Sequence, residues 1–349
     1  MLEVSDQQGM DDLDAEAVLG EWLVKGEMTV VDTPFQARLN IALNRARNRP
    51  ELYAQLLTAR VLVTLFSETE EARTAQLGEA LRITETIDNS AVRLSVLNAV
   101  MQNVAQPANV LHTLTLADEM LHLANKVKAL DRLVDAGTWR ASLLLELGRG
   151  SEYSAEITRC AERAKRLHPS FSYRVRALES GRAFINGDLS EAESLARSAF
   201  TTGLPTYGAF ACATLVLQLQ RIALQRDEAG RIPLLEETLS ILEEIAPLAQ
   251  GYFPARVMLA RARLERGAPS DYRDLLSVFL EQQTLPLGLP ARVRVAVLAD
   301  FAECACEMND VSVVQELSEK LQPFTACTFP SVPVLATADP SVTSWECLH

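Results

Sequence analysis

The feature that most constrains this chain is a helical pattern that repeats about every 40 residues. Apolar residues recur at spacings of three and four almost throughout, and no run of alternating β-branched residues is long enough to predict a sheet. The expected tight turns fall 38 to 42 residues apart, at Ser67, Pro107, Arg149, Gly187, Ala229, Ala268 and Asn309. Such a period is typical of stacked helix pairs, which bury together the face that one pair leaves exposed.

The sequence therefore predicts an all-α fold, a tetratricopeptide-like right-handed superhelix of about seven helix pairs with a non-helical C-terminal tail. The pairs are expected at 50–87, 89–124, 128–168, 170–203, 206–246, 250–281 and 288–322. We divide the chain into a polar N-terminus with capping helices (1–47), the helical-repeat solenoid (48–322) and an extended tail that packs on the last repeat (323–349). The tail contains four prolines, which exclude a long helix there.

The clearest of the expected turns lies at Gly187. A glycine at this position can adopt the left-handed conformation that ends a helix, and Asp188 or Ser190 can cap the helix that follows. A Cβ in that conformation costs about 1 kcal/mol or more. We therefore expect a valine at Gly187 to lower the melting temperature more than a valine at Gly203.

The charge balance excludes some classes of partner. Lys and Arg number 33 against 46 Asp and Glu, which gives a net charge of −13. Because no basic face offsets this acidity, neither nucleic acid nor an anionic membrane is expected as a partner. No stretch is long and apolar enough for a membrane span, and the first residues are acidic where a signal peptide would be basic. We expect a cytoplasmic protein.

A search for catalytic signatures finds none. The sequence has no phosphate-binding loop, dinucleotide-binding glycine motif, nucleophile elbow or zinc-protease motif. Of the four histidines, His112 and His122 are ten residues apart and do not converge on one helix face. The six cysteines are scattered without metal-ligand spacing, so we expect reduced thiols. The sequence favours no cofactor and no metal, and it leaves enzymatic activity open without favouring it.

Several short stretches match a known family at similar spacing: Asn48–Leu52, Ala117–Met120, Leu144–Gly148, Asn186–Glu193, Leu298–Asp300 and Leu321–Phe324. Through them, residues 48–349 resemble the C-terminal helical-repeat region of the large bacterial ATP-dependent regulators of the LuxR-type and adenylate-cyclase-associated kinds. The ATPase, cyclase and DNA-binding domains of that family do not occur in this sequence. The resemblance implies a regulatory repeat module, either free-standing or part of a longer protein, without ATP chemistry or DNA binding.

Three classes of function remain open. The first, which needs no special residue and is favoured, is a non-catalytic interaction module that holds a protein, a peptide or a small signal in a concave groove. The second is a small-molecule sensor with an enclosed cavity. The third is an enzyme that uses the same cavity, with Tyr173 or His168 as acid or base. The oligomeric state stays open.

The groove residues can be predicted from the repeat. The first helix of each pair usually lines the inner face of such a stack, which predicts a groove formed by Trp139, Arg140, Tyr173, Arg176, Tyr207 and Gln218. Arg176 is the preferred anchor, because a guanidinium binds a carboxylate or phosphate in bidentate fashion. The alternative is that Arg176 forms a structural ion pair with Glu179 or Glu146.

Overall fold

A computed structural model describes residues 10–25, 33–64, 68–104, 109–245, 253–267, 273, 276 and 291–322. Among these residues every regular element is helical and there is no strand. The all-α prediction is therefore confirmed. The expected extended tail lies outside the described residues, and so do the expected turns at Ser67, Pro107 and Ala268.

Fifteen α-helices have both of their ends among the described residues, and Arg273 and Leu276 are helical as well. The fifteen helices are α1 (Met10–Lys25), α2 (Thr33–Arg45), α3 (Pro50–Val63), α4 (Glu70–Thr86), α5 (Ser90–Val104), α6 (Val110–Lys126), α7 (Leu130–Glu146), α8 (Gly150–Ala164), α9 (Phe171–Ile185), α10 (Leu189–Tyr207), α11 (Ala209–Leu224), α12 (Glu228–Ile245), α13 (Phe253–Glu265), α14 (Ala291–Glu307) and α15 (Val311–Leu321). A short 3-10 helix, Ala46–Asn48, joins α2 to α3. The bounds of α7 and α8 fall within the predicted range 128–168, and those of α14 and α15 within 288–322.

The chain forms two compact units. The first comprises residues 1–105, 119–129 and 287–290, and the second comprises 106–118, 130–286 and 291–349. In the first unit α1 packs on α2, and both pack on α3, which also packs on α4 and α5. Trp22 of α1 and Phe35 of α2 are buried, and their rings stack with centroids 6.4 Å apart. This aromatic contact joins the two N-terminal helices.

In the second unit, helices contact both their chain neighbours and the helices one repeat away. α7 packs on α8, α9 on α10, and α11 on α12; in addition α9 packs on α7 and on α11. Tyr173 Oη of α9 donates to Thr214 Oγ1 of α11 over 2.7 Å, and Gln218 Nε2 of α11 donates to the Ala177 carbonyl of α9 over 2.8 Å. Each of these hydrogen bonds joins residues 41 positions apart, so positions one repeat apart lie side by side.

The turn at Gly187 has the predicted geometry. Gly187 has φ +81°, and its N–H donates to the Phe184 carbonyl, while the Asp188 N–H donates to the Ala183 carbonyl. This is the Schellman pair of hydrogen bonds, which satisfies carbonyls at a helix end. The Asp188 carboxylate then accepts from the Glu191 N–H at 3.0 Å and caps α10. Both parts of the prediction, the left-handed glycine and the capping aspartate, are confirmed.

The same turn recurs three repeats later. Asn309 has φ +54°, the Asp310 N–H donates to the Ala305 carbonyl, and the Asp310 carboxylate caps α15 by accepting from the Val313 N–H. Asparagine tolerates the left-handed region better than most residues, which explains its place where other repeats use glycine. Local sequence signals therefore fix where these helices end and begin.

Gly203 has a role that the turn analysis did not anticipate. The expected helix end at residue 203 is wrong, because α10 continues through Pro205 to Tyr207. A Cβ placed on Gly203 would lie 2.4 Å from Cδ2 of Tyr173, whose side chain is fully buried. Gly203 is therefore the residue that lets α10 approach the tyrosine ring of α9.

This contact reverses the expected order of the two glycine substitutions. We predict that Gly203→Val lowers the free energy of unfolding by about 1–3 kcal/mol or more, the cost of forcing atoms into a packed core. Gly187→Val costs about 1 kcal/mol, because there only the backbone conformation opposes the side chain. Urea denaturation of both variants measures the order, and Gly78→Ala, where a Cβ meets nothing within 4 Å, is the control. A greater loss at Gly187 would contradict this packing.

Candidate functional site

Three of the six predicted groove residues are buried. Trp139, Tyr173 and Gln218 are 4%, 0% and 2% exposed. Tyr173 and Gln218 form the hydrogen bonds between α9 and α11, and the Tyr173 ring stacks on Tyr207 with centroids 4.9 Å apart. Burial raises the pKa of Tyr173 despite the hydrogen bond with Thr214. In the structure Tyr173 and Gln218 join α9 to α11, and Tyr173 is poorly suited to proton transfer.

The other three predicted residues are partly exposed. Arg140 of α7 donates to Asp118 of α6 over 2.7 Å and to Glu156 of α8 over 2.9 Å. Tyr207 is the last residue of α10, which corrects its expected place on the first helix of the next pair. The structure thus gathers Tyr173, Arg176, Tyr207 and Gln218 around α9, and it places Trp139 and Arg140 on α7. Ligand binding by this set stays a prediction.

Arg176 differs from Arg140 in its contacts. Its Nη1 donates to Thr202 Oγ1 of α10 over 2.5 Å. Within the part of the chain that the structure describes, Arg176 forms no ion pair, either with Glu179 or with Glu146. Its guanidinium therefore keeps donors that no described carboxylate uses.

A buried ion-pair cluster, which the sequence analysis missed, lies in the second unit. It consists of Arg221 of α11, Arg261 of α13, and Asp300 and Glu303 of α14. Arg221 lies 3.3 Å from Asp300 and 2.9 Å from Glu303. Arg261 lies 2.6 Å from Asp300 and also pairs with Glu303. Burial by itself would raise the pKa of Glu303, but the two guanidinium groups outweigh burial and lower that pKa to about 2.

This cluster has two positive and two negative charges, so it balances internally. The Arg261 and Asp300 side chains are only 5% and 8% exposed, which leaves little surface for a ligand. Arg221, Arg261 and Asp300 are 40 and 39 residues apart, close to the repeat length. That spacing was the available signal, because it places a charged residue at the same point of α11, α13 and α14.

A second buried carboxylate lies between α7 and α8. Glu156 is 2% exposed and is shared by Arg140 and Arg159, with Arg163 at 3.9 Å. A Cβ on Gly137 would lie 3.2 Å from this carboxylate and 2.4 Å from Cys160 Sγ. Gly137 therefore allows α8 to lie close against α7.

The Cys160 thiol is an unreactive part of the core. Burial raises its pKa to about 12, so it stays protonated at neutral pH. Four cysteines lie in the described part of the chain, and all four are free thiols: Cys160, Cys212, Cys304 and Cys306.

Across the described residues, no group of three or more His, Cys, Asp or Glu side chains is placed to hold a metal ion. None of the described helices combines the length and the apolar character needed to cross a membrane.

No protein-family model and no curated protein matches this sequence.

The buried cluster yields a stability prediction. Arg261→Met leaves two carboxylates to share one guanidinium, so we expect a loss of about 3–5 kcal/mol in the free energy of unfolding. Arg197, whose side chain is 40% exposed, pairs with Glu237 of α12 over 2.6 and 2.7 Å. Arg197→Met is the matched control, and it should cost no more than about 1 kcal/mol.

Urea denaturation at low and high salt separates the two cases. Salt should reduce the loss of stability caused by Arg197→Met, because exposed charges are screened. It should barely change the loss of stability caused by Arg261→Met. Equal and salt-sensitive losses in both variants would contradict the buried cluster.

Proposed function

We propose that this protein is a non-catalytic, regulatory helical-repeat module that binds a protein or peptide partner, or a small signal, in a concave groove. Its architecture in this proposal is a tetratricopeptide-like right-handed superhelix of about seven helix pairs. The resemblance to the repeat region of bacterial ATP-dependent regulators supports the regulatory part. A cytoplasmic location belongs to the same proposal.

The observation that carries the proposal is the contact between helices one repeat apart. The hydrogen bonds of Tyr173 and Gln218 span 41 residues, and the pair of Arg174 with Asp135, between α9 and α7, spans 39. Arg197 and Glu237 join the second helices α10 and α12 across 40 residues. Stacked repeats contact their neighbours in this way, and their first helices then share one continuous face.

Arg176 of α9 is the anchor in this proposal. It is partly exposed, it has a single hydrogen bond, to Thr202, and it forms no ion pair among the described residues. The ring of Tyr207, which stacks on Tyr173, lies on the helix that also supplies Thr202. Arginine and tyrosine are both enriched among the anchor residues of protein interfaces, and a guanidinium favours carboxylate or phosphate groups.

The test compares two arginine variants. Arg176→Ala should abolish partner or ligand binding while it lowers the free energy of unfolding by no more than about 1 kcal/mol. Affinity capture from the native host identifies a partner, and a thermal-shift screen identifies a small ligand. A ligand at a hundred times its Kd should stabilise the protein by about 2.7 kcal/mol.

The control for this test is Arg231→Ala, a substitution on α12. Arg231 also lacks an ion pair among the described residues, and it is partly exposed like Arg176. Its replacement should leave binding intact. If Arg176→Ala binds like the unchanged protein, or loses stability and keeps binding, Arg176 is not the anchor.

The alternative function is a small-molecule sensor, or an enzyme, that uses an enclosed cavity inside the solenoid. One observation favours the sensor: Arg176, Glu179 and Arg182 of α9 follow each other at helical spacing, and none of them forms an ion pair within the part of the chain that the structure describes.

A further inference from the structure

Arg176, Glu179 and Arg182 form a stripe along α9, which we term the α9 charge triad. Each residue follows the previous one by three positions, a spacing that makes side chains neighbours on a helix surface. The triad extends about 9 Å along the helix axis. All three side chains are partly exposed. An extent of about 9 Å along the axis is comparable with the length of one small molecule.

Among the described residues, none of the three forms an ion pair. The same spacing closes ion pairs on α8. Arg149 donates to Glu152, three residues later, over 2.5 and 2.6 Å, and Arg159 pairs with Glu156, three residues earlier. Arg149 is the non-helical N-cap of α8, so the comparison within a helix is Glu156 with Arg159, which pair, against Glu179 with Arg182, which do not. Spacing alone therefore does not explain the open triad.

The one side-chain hydrogen bond that Arg176 forms among the described residues lies outside the triad. The Arg176 guanidinium is turned toward α10, where it donates to Thr202. Burial raises the pKa of Glu179, and the more distant guanidiniums of Arg182 and Arg176 only partly oppose this shift. Glu179 is thus a partly desolvated carboxylate between two cations that do not contact it, an arrangement that a bound cation would stabilise.

We propose that the α9 charge triad binds an acidic α-amino acid. The triad carries two positive charges and one negative charge, and such a ligand carries the complement, two carboxylates and one ammonium group. The ammonium binds Glu179, and each guanidinium receives one carboxylate in the bidentate geometry that arginine favours. The inference rests on the proposed function, because it assigns Arg176 as the anchor and names the ligand class.

Titration of the full-length chain with L-glutamate and L-aspartate tests this inference. Isothermal calorimetry and thermal shift are run against sodium chloride at equal ionic strength, so that general salt effects cancel. We expect binding of at least one of the two amino acids. L-Glutamine lacks one carboxylate, and N-acetyl-L-glutamate lacks the ammonium, so each should bind about tenfold or more weakly, the loss typical of one charge-assisted hydrogen bond.

Variants of the triad assign the contacts. E179Q should reduce affinity for L-glutamate by about tenfold or more and should have no such effect on N-acetyl-L-glutamate, which has no ammonium to lose. R182Q should reduce affinity for both. R231Q is the control and should change neither. Because all three triad side chains are partly exposed, the variants should keep the melting temperature of the unchanged protein, which separates lost binding from lost fold.

Two results would overturn the inference. One is the absence of binding by both acidic amino acids at millimolar concentration, and the other is equal affinity for L-glutamate and N-acetyl-L-glutamate. If either occurs while Arg176→Ala still abolishes capture of a protein partner, the interaction module stands and only the amino acid site is wrong. If the amino acid site is wrong and Arg176→Ala also leaves capture of a protein partner unchanged, the proposed function is wrong as well.

Discussion

The rest of the second unit depends on the contact between α9 and α11. Two hydrogen bonds cross it, from Tyr173 to Thr214 and from Gln218 to the Ala177 carbonyl. The two positions on each helix are four residues apart, about one helical turn, so the helices run alongside each other in register. Because these polar groups are buried, a shift in register would leave them without partners at a cost of about 1–3 kcal/mol each. The repeat length near 40 residues follows from this register.

Packing between neighbouring helices also decides which partners each arginine has. At Arg261 it brings a guanidinium beside two carboxylates in a buried layer, where the charges balance and the group serves the fold. At Arg140 the neighbouring helices supply Asp118 and Glu156. At Arg176 the neighbouring helix supplies only the hydroxyl of Thr202. This difference in partners separates Arg176 from Arg140 and Arg261, and it is the basis on which we propose binding at α9.

Local signals predicted the all-helical fold and the turn at Gly187, because those features depend on neighbouring residues. The left-handed Gly187 and the capping Asp188 are examples. The contact of Gly203 with Tyr173 was not predicted, because it joins residues on two helices whose separation depends on packing. For the same reason Tyr207 was assigned to the wrong helix. Arg221, Arg261 and Asp300 of the ion-pair cluster recur at the repeat spacing. That spacing alone did not show which charged residues contact each other.

The most direct test of this account is a double-mutant cycle across α9 and α11. Tyr173→Phe, Thr214→Val and the double variant are compared by urea denaturation, and the account predicts a coupling energy of about 0.5–1.5 kcal/mol. Tyr153 donates instead to the Leu178 carbonyl, so Tyr153→Phe should be additive with Thr214→Val within about 0.5 kcal/mol. Full additivity of Tyr173→Phe with Thr214→Val would contradict the register on which the account rests.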